Sequence, residues 1–485
     1  MSTVHRWRAF AVLAVAFFMT TVDLTIVNVA LPTIGQALHF SETNLQWVVT
    51  AYGLTFGGFL LLGGRAADLL GRRRILMLGL AVFTASSLGA ALASSDAFLI
   101  AMRGVQGLGA AIVLPAALSI VMNMFDEGAE RNKALGLWGA IGATGGTLGL
   151  LFGGLLTRYA GWEYIFYLNV PVGIAVLLLA PRVVPESKLV GVRRQFDPFG
   201  AVTVTGGLML LVYALSKAPQ AGWTATSTLG LLGGAAAALV AFVVIESRVE
   251  APLMPLRIFG SRTLAGANVA GLLMGAGFFG FIFIGTLYMQ QVLGYSALQT
   301  GAAWVVASSF SMILSAPVQK LVTRFSAGPV LMVGMAMVGG GIVWSTIVPV
   351  HAHYWVNLAA PWILVGAGTA FAFIPISIAG LQGVTEHEAG LASGLLNTSQ
   401  QLGGAIGVAI ASTVSATQIK SLTAQGKAGD VALTGGFHWA FWVCGLIALA
   451  AVPTTAVLVR RSTATAVPEP TTEPVAARVP VLDAA

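Results

Sequence analysis

The stretch Gly64-Arg65-Ala66-Ala67-Asp68-Leu69-Leu70-Gly71-Arg72-Arg73-Arg74 decides how this chain is read. It holds five charges in eleven residues, in a chain where 9% of residues are charged. Apolar runs flank it, Leu45 to Gly63 and Ile75 to Ala93, each about the length that crosses a bilayer. An arginine-rich turn between two membrane helices is retained on the cytoplasmic side. Gly64 and Gly71 let the backbone turn sharply. Asp68 can pair with a neighbouring arginine or with a helix N-terminus. With Arg72 and Arg73 they make a basic turn that, on physics alone, serves as a topology signal.

Composition carries the same message to the whole chain. Of 485 residues 57% are apolar, and the mean hydropathy is +0.86, beyond what soluble globules reach. The 59 glycines suit closely packed membrane helices. A single cysteine, Cys444, excludes an intrachain disulfide framework and a cysteine metal cluster. The net charge of +7 does not point to nucleic acid, because the basic residues are segregated. With loops assigned as below, about 20 of the 25 Lys and Arg fall on one side, and only Arg158, Lys217, Lys420 and Lys427 on the other. Arg103 lies within a span. This bias puts both termini in the cytoplasm. The first apolar run, Ala9 to Ala30, is too long for a signal-peptide core and contains Asp23, so it reads as an uncleaved helix.

Apolar runs bounded by charge, Pro or Gly predict an all-α polytopic membrane protein with fourteen transmembrane helices, arranged six plus two plus six. They lie at 8–31, 45–65, 73–93, 97–121, 133–157, 163–181, 198–216, 226–246, 264–288, 298–320, 328–349, 355–380, 390–416 and 437–460. A shift of 258 residues brings Glu130, Ala134, Gly136, Leu137, Gly145, Gly146 and Gly149 onto Glu388, Ala392, Gly394, Leu395, Gly403, Gly404 and Gly407. The fifth span thus matches the thirteenth, eight helices later, so two helices are inserted between two related halves. The domain reading is 1–181 for the first half, 182–262 for a cytoplasmic linker plus the inserted pair, and 263–461 for the second half. Residues 462–485 form a tail too poor in large apolar residues to fold.

Asp23 is the acidic residue placed deep within a span. A carboxylate there is costly, so it lines an aqueous path or a proton relay, the bland alternative being a structural hydrogen-bonding Asp. Arg103, the basic residue within a span, needs a partner or a wet cavity, and Gln106 shares its helical face at i, i+3. Gly145, Gly149, Gly153 and Gly154 give the fifth span a flat face for close crossing, which packing alone explains. Asn28, Gln106, Asn169, Gln290, Gln291, Trp304, Phe371, Asn397 and Gln401, with Phe373 beside them, are candidate lining for an amphipathic substrate. For each aromatic taken singly, core or lipid packing is the simpler reading. No Gly-x-x-x-x-Gly-Lys-Ser/Thr motif and no His-Glu-x-x-His motif occurs. The chain is therefore expected to work without ATP, metal or cofactor, and not as an enzyme.

These stretches carry a resemblance. Gly-x-x-x-Asp-x-x-Gly-x-Arg-Arg resembles the loop between helices 2 and 3 of the major facilitator superfamily, with Leu69 where a basic residue is usual, and the resemblance implies that Gly64, Asp68, Gly71, Arg72 and Arg73 form a conformational loop of the transport cycle. Asp23-Leu-Thr-Ile-Val-Asn-Val-Ala-Leu-Pro32 resembles the first-helix motif of its fourteen-helix drug:proton antiporter family. Arg103-Gly-Val-Gln-Gly-Leu-Gly109 resembles the fourth-helix motif, whose arginine is assigned to proton coupling. Gly145 to Gly154 resembles the fifth-helix antiporter motif, with Leu150 in place of the proline held to limit leakage. Trp162 to Pro171 and Leu396 to Gly404 are similar to family sequence too. The resemblance implies a proton-coupled antiporter that exports amphipathic drugs or antibiotics across the cytoplasmic membrane. Asp23 and Arg103 would carry the coupling, and the partners would be the small organic substrate, protons and membrane lipid. A proton-coupled importer of the same fold stays as the alternative, and a non-transporting membrane sensor is a more distant one.

Overall fold

The computed structural model describes residues 3–459, except 41–44, 46, 126–128, 188–196, 250, 251, 253, 255, 256, 258, 259 and 383–388. The expected tail, Arg193, Arg194 and most of the expected linker fall outside the described residues. Among those described, every regular element is helical. In chain order the long helices are α1 (Thr3–Ala37), α2 (Trp47–Leu70), α3 (Arg72–Ala91), α4 (Asp96–Met124), α5 (Ala129–Tyr159), α6 (Asn169–Val183) and α7 (Pro198–Ala221). There follow α8 (Thr226–Glu246), α9 (Arg262–Leu287), α10 (Ala297–Phe325), α11 (Ala327–Trp344), α12 (Ala359–Leu381), α13 (Ala389–Ala424) and α14 (Gly429–Leu458). Among the described residues twelve helices are long and apolar enough to cross a membrane, against the fourteen expected. α2 contributes a shorter apolar stretch, Trp47–Leu60.

Each predicted span coincides with a helix, and the differences lie at the ends. α1 and α13 run well beyond their apolar cores, because a hydrogen-bonded backbone persists into the interface where polar side chains are solvated. Side-chain caps set several starts. Ser95 accepts from Phe98 N at 3.4 Å, Asp197 from Gly200 N at 2.8 Å, and Ser296 forms a reciprocal capping box with Gln299. The predicted span 163–181 divides into one turn, Tyr164–Tyr167, and then α6.

The packing repeats. α1 packs on α5, α2 and α3 on α4, and α6 on α1 and α3. Eight helices later α9 packs on α13, α10 and α11 on α12, and α14 on α9 and α11. Glycines matched by the 258-residue shift perform the same task in both sets. A Cβ on Gly149 would stand 2.7 Å from Val22 O of α1, and one on Gly407 would overlap Ala276 O of α9. Such close crossings hold membrane helices together by van der Waals contact, since lipid is as apolar as the helices themselves.

The two sets touch through α5 with α10 and through α2 with α13. Gln290 donates to Val29 O at 3.4 Å, and Cβ atoms on Gly301 and Gly154 would meet Leu150 O and Ala297 O at 2.5 and 2.7 Å. These last contacts lie toward the end of the bundle away from the turn at Gly71, whereas Gly57, midway along α2, faces Gln401 of α13, its Cβ position 3.6 Å from Gln401 Cβ. α7 and α8 pair with each other, and α7 lies against both α2 and α13.

Candidate functional site

A buried polar cluster forms where α1, α2, α3, α4 and the start of α6 converge. Asp23 is 0% exposed and Arg103 is 1% exposed. Arg103 Nη1 donates to Asp23 Oδ2 at 2.7 Å. Asp23 Oδ1 accepts from Gln106 Nε2 and from Asn169 Nδ2, each at 2.8 Å. Both carboxylate oxygens are therefore engaged by donors from two further helices.

The arginine is held just as fully. Its Nε donates to Val48 O at 3.0 Å and its Nη1 also reaches Gln106 Oε1 at 2.7 Å. Its guanidinium lies 4.3 Å from the Tyr52 ring centroid and 5.7 Å from that of Phe166. Gln106 Nε2 donates to Ser87 Oγ at 2.7 Å, and Ser87 in turn donates to Phe83 O at 2.7 Å. An isolated charge at this depth would be expensive, and the ion pair with its surrounding hydrogen bonds is what makes the placement tolerable.

With Asp23 ionised the cluster ties α1 to α4 and α6. Adding a proton to either oxygen costs one of three hydrogen bonds and leaves Arg103 without its counter-ion. A proton at Asp23 therefore loosens the joint between three helices. The glycines of α5 position the first of them, since Cβ atoms on Gly145 and Gly153 would stand 3.0 Å from Thr21 Cβ and 2.5 Å from Ile26 O.

Of the residues singled out in the sequence, Asp23, Arg103, Gln106 and Asn169 come together here. Gln106 and Asn169, expected on a substrate pocket, have their side chains committed to Asp23. The other pocket candidates do not form one lining. Asn28 donates to Leu24 O and Thr25 O of its own helix. Trp304 is buried, donates to Thr286 Oγ1 at 3.1 Å and stacks on Trp362 at 4.5 Å. Gln290 and the exposed Gln291 lie on a π-helical turn, Tyr288–Val292, that prolongs α9. Phe371 and Phe373 pack half-buried against the core of the second set, and Asn397 is half-buried on α13. Gln401 lines a cavity of about 10 Å³ with Gly57, Gly58 and Thr398, space for a single water.

The arginine-rich turn is one residue long. Gly71 alone separates α2 from α3, at φ 111°, a conformation that only glycine adopts without strain. Arg72 N donates to Ser187 O at 2.9 Å, and Arg73 N to Glu186 Oε1 at 3.1 Å. Arg73 Nη1 reaches Val184 O at 3.1 Å, and Arg73 and Arg74 lie 3.7 and 3.8 Å from Glu186 Oε2. A Cβ on Gly64 would stand 3.4 Å from Pro115 of α4. The Asp68 side chain lies outside the described residues.

Sequence reasoning missed Ser87, Tyr52, Phe166 and Glu186. The Ser86-Ser87 pair inside an apolar helix and Glu186 shortly after a span were the available signals. Among the described residues no group of three or more His, Cys, Asp or Glu could hold a metal ion.

Comparison with known proteins places the chain. Residues 13–408 match the Major Facilitator Superfamily. The chain is 39% identical over 410 residues to the cephamycin export protein CmcT of Amycolatopsis lactamdurans, covering 84% of each. It is 35% identical over 457 residues to the puromycin resistance protein pur8 of Streptomyces alboniger, covering 94% of this chain and 90% of that one. Among solved structures, the human organic anion transporter MFSD10 (TETRAN) superposes with a TM-score of 0.64 at 16% identity, covering 94% and 100% of the two chains. At that identity the likeness is one of fold.

Proposed function

We infer that this chain, which belongs to the Major Facilitator Superfamily, exports amphipathic drugs or antibiotics across a membrane in exchange for protons. Relatives named for antibiotic export and resistance, matched over more than four-fifths of the chain, carry the export reading. The observation that supports proton coupling is the Asp23–Arg103 ion pair, buried among five helices.

The cycle follows from differential affinity. A proton entering from outside discharges Asp23, loosens α1 against α4 and α6, and favours one orientation. Substrate binding from the cytoplasm and release of the proton favour the other. α2 and α5 count as two further spans, giving fourteen, with both termini cytoplasmic in the cell membrane. The related halves, 1–181 and 263–461, rock about the α5–α10 and α2–α13 seams, and the inserted pair lies alongside. Energy comes from the proton gradient without ATP or cofactor, and one charge moving inward releases about 2.3 kcal/mol per 100 mV.

The test is transport in proteoliposomes under an imposed pH gradient, with neutral, cationic and anionic amphiphiles in parallel. Concentration of at least one amphiphile on the acidic side is expected. Equal distribution of all of them at every gradient contradicts the proposal.

A further inference from the structure

Resting on that antiporter reading, we propose that one proton is exchanged per substrate molecule, and that the second half of the repeat is built so that it cannot carry another. The 258-residue shift that aligns α5 with α13 places Phe281 of α9 on Asp23 of α1. The neighbours of Phe281 come from the same members of the repeat as the neighbours of Asp23. Its ring centroid lies 5.4 Å from Trp304 of α10, 5.6 Å from Trp362 of α12 and 5.7 Å from Phe441 of α14. α10, α12 and α14 stand to α9 as α2, α4 and α6 stand to α1.

One further position matches and others correspond helix by helix. Trp362 lies one residue past the place the shift assigns to Arg103, and it is likewise fully buried. Trp304 of α10 stacks on Trp362 with planes 11° apart, as Tyr52 of α2 lies over the guanidinium of Arg103, the two coming from corresponding helices while the shift itself sets Phe310 on Tyr52. Ser345 falls on Ser87, and both donate to a carbonyl four residues back, Ser345 to Gly341 O and Ser87 to Phe83 O. The joint is thus present in both halves. It is closed by an ion pair and amides in the first, and by four aromatic rings in the second.

Charge elsewhere does not supply a substitute. The other buried acidic residues among those described are Asp197 and Glu246, and both are at helix ends. Asp197 caps α7, and Glu246 Oε2 accepts from Met254 N at 3.0 Å. Around Asp23 itself, the charged group is Arg103 and the titratable one is Tyr52. Ser87 of α3, Asn169 and Phe166 around the start of α6, and Gly145 and Gly149 of α5 bring no further charge. In each cycle one O–H bond forms on an Asp23 oxygen from one aqueous phase and breaks toward the other.

The test is a reversal measurement with a neutral probe, radiolabelled chloramphenicol, in proteoliposomes clamped at zero membrane potential. With one pH unit imposed, net flux should vanish at about a tenfold opposing chloramphenicol gradient, one proton's worth of free energy. Balance at about a hundredfold gradient means two protons and overturns the proposal while leaving antiport intact. Balance at equal concentrations means no coupling and defeats the antiporter reading beneath it. Phe281→Leu should slow transport at every pH and keep the tenfold balance point. A shifted balance point in that variant would assign the aromatic joint a part in proton counting and overturn the proposal.

Discussion

Asp23 accepts three hydrogen bonds, the one from Arg103 being also an ion pair, and its carboxylate is the one negative charge that Arg103 meets in the described cluster. Asp23→Asn should therefore abolish pH-driven efflux while the chain still inserts, read as drug accumulation in vesicles under an imposed gradient. The same change leaves the Arg103 charge buried and unpaired, a loss of about 3–5 kcal/mol. Adding Arg103→Gln removes that stranded charge. The double variant should unfold at a higher temperature in detergent than Asp23→Asn alone, although neither transports against a gradient. A double variant less stable than the single one would contradict the ion-pair account. Asp23 and Arg103 were legible in the sequence because a charge within an apolar run is rare and has few physical explanations. Ser87 and Tyr52 were not, since serines and tyrosines occur widely in membrane helices and only the fold shows what they touch. Glu186 was hidden for a related reason, being one of many charged residues near a helix end.

α5 shows how a helix can be placed by what it lacks. Gly149 and Gly153 bring α1 close enough for backbone contact, Gly145 leaves room for the Thr21 side chain, and Gly154 brings α10 to backbone contact. Gly153→Val would push its side chain against Ile26 O and displace α1, a cost of about 1–3 kcal/mol with loss of transport. Thermal unfolding and efflux measured together check it, and a fully active, fully stable variant would deny the crossing any role. Leu150 is 4% exposed in a helix that runs unbroken from Ala129 to Tyr159. Without the bend a proline makes, the α5–α10 seam is expected to leak protons in the absence of drug. Leu150→Pro should lower that leak, measured as acidification of drug-free vesicles, and equal leak in both proteins would remove the explanation. The helices themselves were readable from apolar run length. Their ends were not, because hydrogen bonding continues past the last apolar residue, and the division at Leu168 leaves no mark in hydropathy.

At the scale of the molecule, α1–α6 and α9–α14 share one packing pattern and differ in chemistry. The offset of 258 residues was visible in glycines, which are constrained by close crossing in both halves. The contrast between Asp23 and Phe281 emerged only when the folded halves set them in equivalent joints. With Asp23 the one carboxylate at depth among the described residues and Arg103 beside it, a dication would find no second counter-charge. Cells of an efflux-deficient host expressing this chain should resist a neutral antibiotic more strongly than a divalent quaternary ammonium, and the reverse order would defeat the charge argument. The central claim is that drug movement and the protonation of Asp23 are one process. It is tested most directly by adding drug to acid-loaded proteoliposomes and following internal pH with an entrapped dye. Drug should collapse the gradient with the wild-type chain and leave it unchanged with Asp23→Asn. Collapse of equal size with both proteins would contradict the account.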